Sequence, residues 1–315
     1  MSEGEISQTK DADALFREAV DAQVAGDLAT AECLYGKASQ LGHVEGAFHL
    51  GELLGDLDRP AEAAGAYELA MSMGDREARL NLAELFARFL GRRSDAISLY
   101  EEAIAAGDMR GLVELGALFE REGDVRRAAE EYGKAITAGE PVGHLELGRL
   151  YADKGEDESA LLEFQRAADL GVEGAQSWVG WVLKRLGRLG DAEQILRRAR
   201  DEGDPRSFNL LGELLRQTER FDEATAVFEE ACTKGIDSAL IEYGDLLVEM
   251  GKDSEAEAIY QRAVKQGDSE AHFDLAEFYR RVGPIDKAEE EYEKAVNAGD
   301  PRANSPTAAF LAQGT

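Results

Sequence analysis

The sequence predicts an all-α fold, a solenoid of nine helix–turn–helix repeats of about 32 residues. Two observations carry this. Laid out in rows of 32 from Ala12, the 315-residue chain comes into register nine times, with one extra residue in the row 76–108. Ala, Leu, Glu and Arg are abundant while β-branched and aromatic residues are sparse, which favours helices over strands. Self-similarity at such a period is the mark of a repeat architecture, so the length does not imply separate globular domains.

Three columns of the rows hold only small residues. The first is Gly or Ala: Ala19, Gly51, Ala83, Gly116, Gly148, Gly180, Gly212, Gly244, Ala276. The second is always Ala, from Ala31, Ala63 and Ala96 to Ala288; the third is Ala38, Ala70, Ala103 and onward to Ala295. Each row carries two amphipathic helices. In the row 109–140, Leu112, Leu115 and Phe119 recur at three- and four-residue steps, as do Ala128, Tyr132, Ala135 and Ile136. Antiparallel helices approach closely only where bulk is absent, so Gly148 and Ala160 are expected to mark the contact inside one repeat. Leu147, Tyr151 and Phe164 then fill the space around it.

Punctuation is equally regular. A glycine closes the first helix in seven of nine rows, with Asp58 and Glu219 as the exceptions, and the second helix in all nine, from Gly42 to Gly299. A left-handed C-terminal stop requires such a residue. Asp204-Pro205 and Asp300-Pro301 supply an N-cap followed by a proline at the first helical position. The repeats are bounded at 12–43, 44–75, 76–108, 109–140, 141–172, 173–204, 205–236, 237–268 and 269–300. Residues 1–11 read as a flexible tail. Residues 301–315 read as a truncated repeat or capping tail, with Ser305-Pro306 starting a turn and Phe310 and Leu311 covering the last repeat.

These columns resemble the tetratricopeptide repeat: Leu147-Gly148, Tyr151, Ala160, Phe164, Ala167, recurring across residues 12–300. The junctions between repeats are shorter than that family's proline-containing linker and resemble the Sel1-like repeat, as in KAITAGEPVGHLELG. The resemblance implies a right-handed superhelix whose first helices line a concave groove binding peptides or partner proteins. It implies an interaction scaffold or adaptor, with a chaperone-like or regulatory holder of a basic client as the alternative. A remoter third reading is an acidic mimic of nucleic acid.

The groove-facing column would be Glu52, Glu84, Ala117, Arg149, Trp181, Glu213, Asp245, Glu277. Four residues earlier runs an apolar column (Phe48, Leu80, Val113, Leu145, Ser177, Asn209, Ile241, Phe273), and later a basic one (Arg88, Arg121, Arg185, Arg281). Candidate partner-binding residues are therefore Trp181, Arg149, Glu213, Asp245, Glu277, Glu52 and Glu84, with Lys184 and Arg185 beside the tryptophan. Trp181 reads either as a groove anchor, since tryptophan is enriched among binding hot spots, or as a core residue between repeats, with Trp178 competing for the exposed role. The acids read either as an attractor for a basic segment or as a solvated face that keeps the chain soluble.

The formal charge of −29 argues against nucleic acid, because phosphate binding needs cations to release counterions, and against an anionic membrane surface. No run of about 18 apolar residues is present. The acidic, polar start MSEGEISQTKDAD is unlike a signal peptide, so the expected location is the cytoplasm. Cys33 and Cys232 read as partly buried small hydrophobes without a disulfide. The histidines His43, His49, His144 and His272 occupy three repeat columns with no ligand or nucleophile spacing. No H-E-x-x-H, C-x-x-C or P-loop occurs. No enzyme activity, cofactor or metal is expected.

Overall fold

The computed structural model describes residues 3–268 and 270–304, with side chains for 11–268 and 270–303. Phe310, Leu311 and the Ser305-Pro306 pair lie outside the described residues. The described chain is helical, with two short 3-10 turns and no strand. It divides into two compact units, residues 1–150 and 151–315.

The first unit holds α1 (Glu3–Val24), α2 (Leu28–Gln40), α3 (Val44–Asp56), α4 (Pro60–Ser72), α5 (Glu77–Arg88), α6 (Arg93–Ala105), α7 (Arg110–Arg121) and α8 (Val125–Thr137). The boundary falls within α9 (Val142–Asp153). The second unit continues with α10 (Asp157–Asp169), α11 (Ala175–Arg185), α12 (Leu189–Asp201), α13 (Pro205–Gln217), α14 (Phe221–Thr233), α15 (Leu240–Glu249), α16 (Asp253–Lys265), α17 (Ala271–Val282) and α18 (Ile285–Asn297). A 3-10 turn at Asp237–Ala239 leads into α15, and another at Pro301–Asn304 follows α18. Two helices fall in each 32-residue row. The helix α1 begins at Glu3, inside the segment the sequence assigns to a tail.

Within each unit a helix packs on the one before and after it, and first helices also touch the next first helix, as α5 with α7 and α13 with α15. Both alanine columns are buried at every repeat, Ala31 to Ala288 and Ala38 to Ala295. Rings fill the spaces between them: Tyr67, Tyr100, Tyr132 and Phe119 in the first unit, Phe164, Phe208, Phe228, Tyr260 and Tyr292 in the second. No pair of helices could hide these rings alone, so each repeat relies on its neighbours.

The glycine column has a different partner from the one expected. A Cβ on Gly116 would first meet the Tyr132 ring at 2.5 Å, one on Gly212 the Phe228 ring at 2.3 Å, one on Gly244 the Tyr260 ring at 2.6 Å. On Gly180 it would meet Leu196, again at 2.5 Å. The small residue makes room for the large side chain of the second helix, whereas the sequence reading of Gly148 assigned the approach to the alanine column. A ring is wider than a methyl group, so it reaches the facing backbone first.

Every glycine from Gly42 to Gly299 that closes a second helix has positive φ. At first-helix ends Asp58 (φ 56°) and Glu219 (φ 58°) adopt the same left-handed conformation without a glycine, which stores about 1 kcal/mol of strain each. Gly283 departs: its φ of −116° and ψ of −171° are extended, because the following Pro284 excludes helical conformations before it. Cys33 is exposed rather than partly buried, Cys232 is intermediate, and both are free thiols. No described helix is long and apolar enough to cross a membrane.

Candidate functional site

The candidate residues sit on first helices, in both units, and most are already engaged. In the first unit Glu52 pairs with His49 at 2.8 Å. Glu84 accepts from Arg88 (3.2 Å), from Arg121 of the next first helix (3.0 Å) and from the Tyr100 hydroxyl (3.2 Å). Burial pushes the Glu84 carboxyl up, but the hydrogen bonds from Arg121, Tyr100 and Arg88 hold it below the usual glutamate value. Arg149 is exposed and bonds Glu146 at 2.8 Å.

In the second unit Trp181 is partly buried. Trp178 meets it edge-on at 5.5 Å and the Arg185 guanidinium lies over its ring at 4.7 Å. Arg185 also pairs with Asp157 at 2.9 Å and donates to the Ala152 carbonyl. Trp178 stacks on Phe164 and carries Arg206 over its ring. Lys184 bonds Glu213 on the next first helix, and Arg216 bonds Glu249 on the one after at 2.8 Å. A depression of about 410 Å³ opens against Lys184, Glu213, Arg216, Gln217 and Glu249.

The acids of this column also serve the fold. Asp245 accepts from the buried Tyr260 hydroxyl at 2.6 Å, and Glu277 from Tyr292 and Arg280. The same contact recurs one turn later in the fourth repeat, from Tyr132 to Glu120 at 2.7 Å. A buried phenol needs an acceptor, so part of the acidic column answers a requirement of the core. The Arg280 bond, against the opposing effect of burial, keeps the Glu277 carboxyl low.

A second acidic column, missed in the sequence, stands one place after the apolar one: Glu114 and Glu146 in the first unit, Glu242 and Asp274 in the second. Each is half-buried, and burial raises its pKa, that of Asp274 to about 6. Asp274 is offset by Arg302, whose guanidinium lies 3.2 Å away and over the Phe273 ring at 4.6 Å. With the buried Ala303, Arg302 packs against the ninth repeat. Against burial, Glu242 has hydrogen bonds from the Asn209 side chain, on the preceding first helix, and from its own backbone. Even so, Glu242 Oε2 and Asn209 Oδ1 are buried without a hydrogen-bond partner. The signal was available, since an acid recurs beside Val113, Leu145, Ile241 and Phe273, but its burial was not.

The histidines have structural posts. His43 caps α3, accepting from the Gly46 amide at 3.0 Å, and stacks on Phe16; His272 bonds Glu291 at 2.6 Å. Among the described residues no group of His, Cys, Asp and Glu could hold a metal ion.

A tetratricopeptide repeat model matches residues 87–141, 113–175, 180–239 and 243–308, more than half of the chain. The chain belongs to the tetratricopeptide repeat family. Solved structures agree on the fold. A Sel1 repeat protein from Oxalobacter formigenes is 22% identical, with 95% of this chain and 93% of that one covered and a TM-score of 0.53. A tetratricopeptide repeat protein from Parabacteroides merdae is 18% identical, covering 76% and 97%, at 0.54. A protective antigen of uropathogenic Escherichia coli with an SLR fold is 20% identical, covering 99% and 72%, at 0.52. The sequence matches no curated protein. The tetratricopeptide and Sel1-like repeats generally mediate protein–protein interaction, and this chain carries both signatures.

Proposed function

We propose that this tetratricopeptide repeat protein is an interaction scaffold whose first helices hold a partner protein or peptide through a basic segment. One observation carries the reading: the orphan acceptors Glu242 Oε2 and Asn209 Oδ1 on neighbouring first helices. Buried acceptors without donors are costly, about 1–3 kcal/mol each, and a lysine or arginine from a partner supplies what they lack. Asp245 and Glu213 on the same helices add negative potential, and Trp181 with Lys184 and Arg185 would border the segment. Their internal pairs leave room for this, since an ammonium or guanidinium can share a carboxylate already accepting one bond.

The test is fluorescence anisotropy with a labelled peptide alternating Lys and Leu, at low and high salt, on the full chain and on Glu242→Gln, Asp245→Asn and Trp181→Ala. The expected result is saturable, salt-sensitive binding that Glu242→Gln weakens roughly tenfold, or about 1.4 kcal/mol. Equal binding by all variants would remove the first helices of the second unit from the partner site. Capture confined to unfolded basic proteins, with no affinity for the peptide, would favour the holder of basic clients.

A further inference from the structure

The third repeat departs from the others where α5 passes to α6. Its row carries the one extra residue, and the connection Phe89-Leu90-Gly91-Arg92 is correspondingly longer than Glu122-Gly123-Asp124 in the fourth repeat. Leu90 turns back onto the core, and Arg92 stacks over Phe86 at 3.8 Å. Phe89 is left 58% exposed, the one large exposed aromatic among the described residues. Arg88 lies beside its ring at 5.4 Å.

Next to this turn is a depression of about 380 Å³ lined by Arg88, Arg93, Arg121, Ala87, Leu118 and Glu122. Three guanidiniums and one carboxylate, Glu122, line it, and with Glu84 behind them the cluster still carries a net positive charge in a chain of net charge −29. Arg88 and Arg121 share Glu84 behind them, at 3.2 and 3.0 Å, and Arg93 bonds Glu122. All three remain accessible, with side chains 53%, 38% and 50% exposed. Each guanidinium has five donors, so a second carboxylate can be taken without breaking the first pair.

We infer that this turn is a second docking surface, for a short acidic segment of a partner bearing one apolar side chain. The guanidiniums match carboxylates in bidentate geometry, and Phe89 with Ala87 and Leu118 receives the apolar group. The charge of the whole chain selects the occupant further. A second copy of this chain or a long polyanion would meet net repulsion, while a short segment feels little beyond the local patch, since screening sets in within about 8 Å at physiological salt. The surface is separate from the basic-segment site, which lies in the other unit.

The probe is a short fluorescent peptide of alternating Asp and Glu around a central Leu-Phe, titrated with the full chain at low and high salt. Saturable binding is expected, weakened roughly tenfold by Phe89→Ser, by Arg88→Gln with Arg93→Gln, and by Ser in place of the peptide's Leu-Phe. Phe89 is exposed, so Phe89→Ser should leave the helical circular dichroism and thermal melt unchanged and keep the test valid if the arginine variants unfold. Binding of the Lys-Leu peptide should be the same in all variants, which separates failure here from failure of the basic-segment reading. Absent saturable binding, equal binding by Phe89→Ser, or a Phe89-dependent dimer in sedimentation velocity would overturn the inference.

Discussion

A methyl group added at Gly116 and one added at Gly133 should change stability in opposite directions, although both replace a helical glycine of the fourth repeat. A Cβ at Gly116 lies 2.5 Å from Tyr132 Cε1 and 2.7 Å from Cδ1, against a normal carbon contact of about 3.5–4.0 Å. The ring would have to retreat by about 1 Å. It is fully buried, and its hydroxyl is held on Glu120 at 2.7 Å, so the strain is shared with the whole helix pair. Overpacking of this kind costs about 1–3 kcal/mol, against about 1 kcal/mol gained by replacing a helical glycine with alanine. Gly116→Ala should lose about 1 kcal/mol net. At Gly133 nothing lies within 4 Å of the added atom, so Gly133→Ala should keep the whole propensity gain. Urea titration by far-ultraviolet circular dichroism reads both as midpoint shifts. If Gly116→Ala stabilises as much as Gly133→Ala, the ring does not fill the space the glycine column leaves.

Two further outcomes concern charge. Asp274 has its carboxyl raised from 3.8 to about 6, chiefly by burial. The folded chain therefore holds a proton there that the unfolded chain has released. This group's contribution to stability is full below pH 3.8 and falls as pH rises to about 6, by an order of 1–3 kcal/mol. In Asp274→Asn that decline should be missing, so urea midpoints of variant and parent should diverge as pH rises from 3.8 to about 6 and keep that gap above it; parallel midpoints would refute the shift. Glu84 and Arg121 tie consecutive first helices. A double-mutant cycle with Glu84→Gln and Arg121→Gln should give a coupling of about 1 kcal/mol for this part-exposed pair, reduced in high salt; zero coupling at low salt would make the contact incidental.

The fold was legible because its constraints repeat. A small residue at the same place in nine rows cannot be hidden by local variation, and the left-handed helix ends announce themselves as glycine, with Asp58 and Glu219 standing out for lacking it. What one row could not show was which large residue each small one faces, since Gly116, Ala128 and Tyr132 all point to the same interface. The site was less legible. Glu84, Asp245 and Glu277 were placed on the correct helices, but a column reading has no access to Tyr100, Tyr260 and Tyr292 approaching from the partner helix with their hydroxyls. Arg302 was overlooked for a related reason: it acts on Asp274 and Phe273, a full repeat away. Phe89 was visible only as a row one residue too long, and length alone does not say which residue is expelled.

Burial of the second acidic column has an asymmetry that bears on function. Asp274 is repaid by Arg302, and Glu146 by Arg149. Among the described residues Glu242 has no ion pair, and its oxygen Oε2 and Asn209 Oδ1 are both without a hydrogen-bond partner. Locally unfavourable arrangements that survive in a folded chain are most often found at functional sites. The same residue should then oppose stability and support binding. Glu242→Gln removes the ionised state that burial disfavours and brings an amide donor within reach of Asn209 Oδ1. Because the folded carboxyl is raised, the parent's disadvantage starts as pH passes the ordinary glutamate value of 4.5 and is complete above the raised one. The variant should therefore match the parent in acid and exceed it at pH 7, while losing affinity for the Lys-Leu peptide. Urea midpoints at both pH values decide the first half and anisotropy the second. A variant less stable than the parent at pH 7 would mean that the carboxylate is satisfied within the fold, and the argument for a cationic partner at α15 would fall with it.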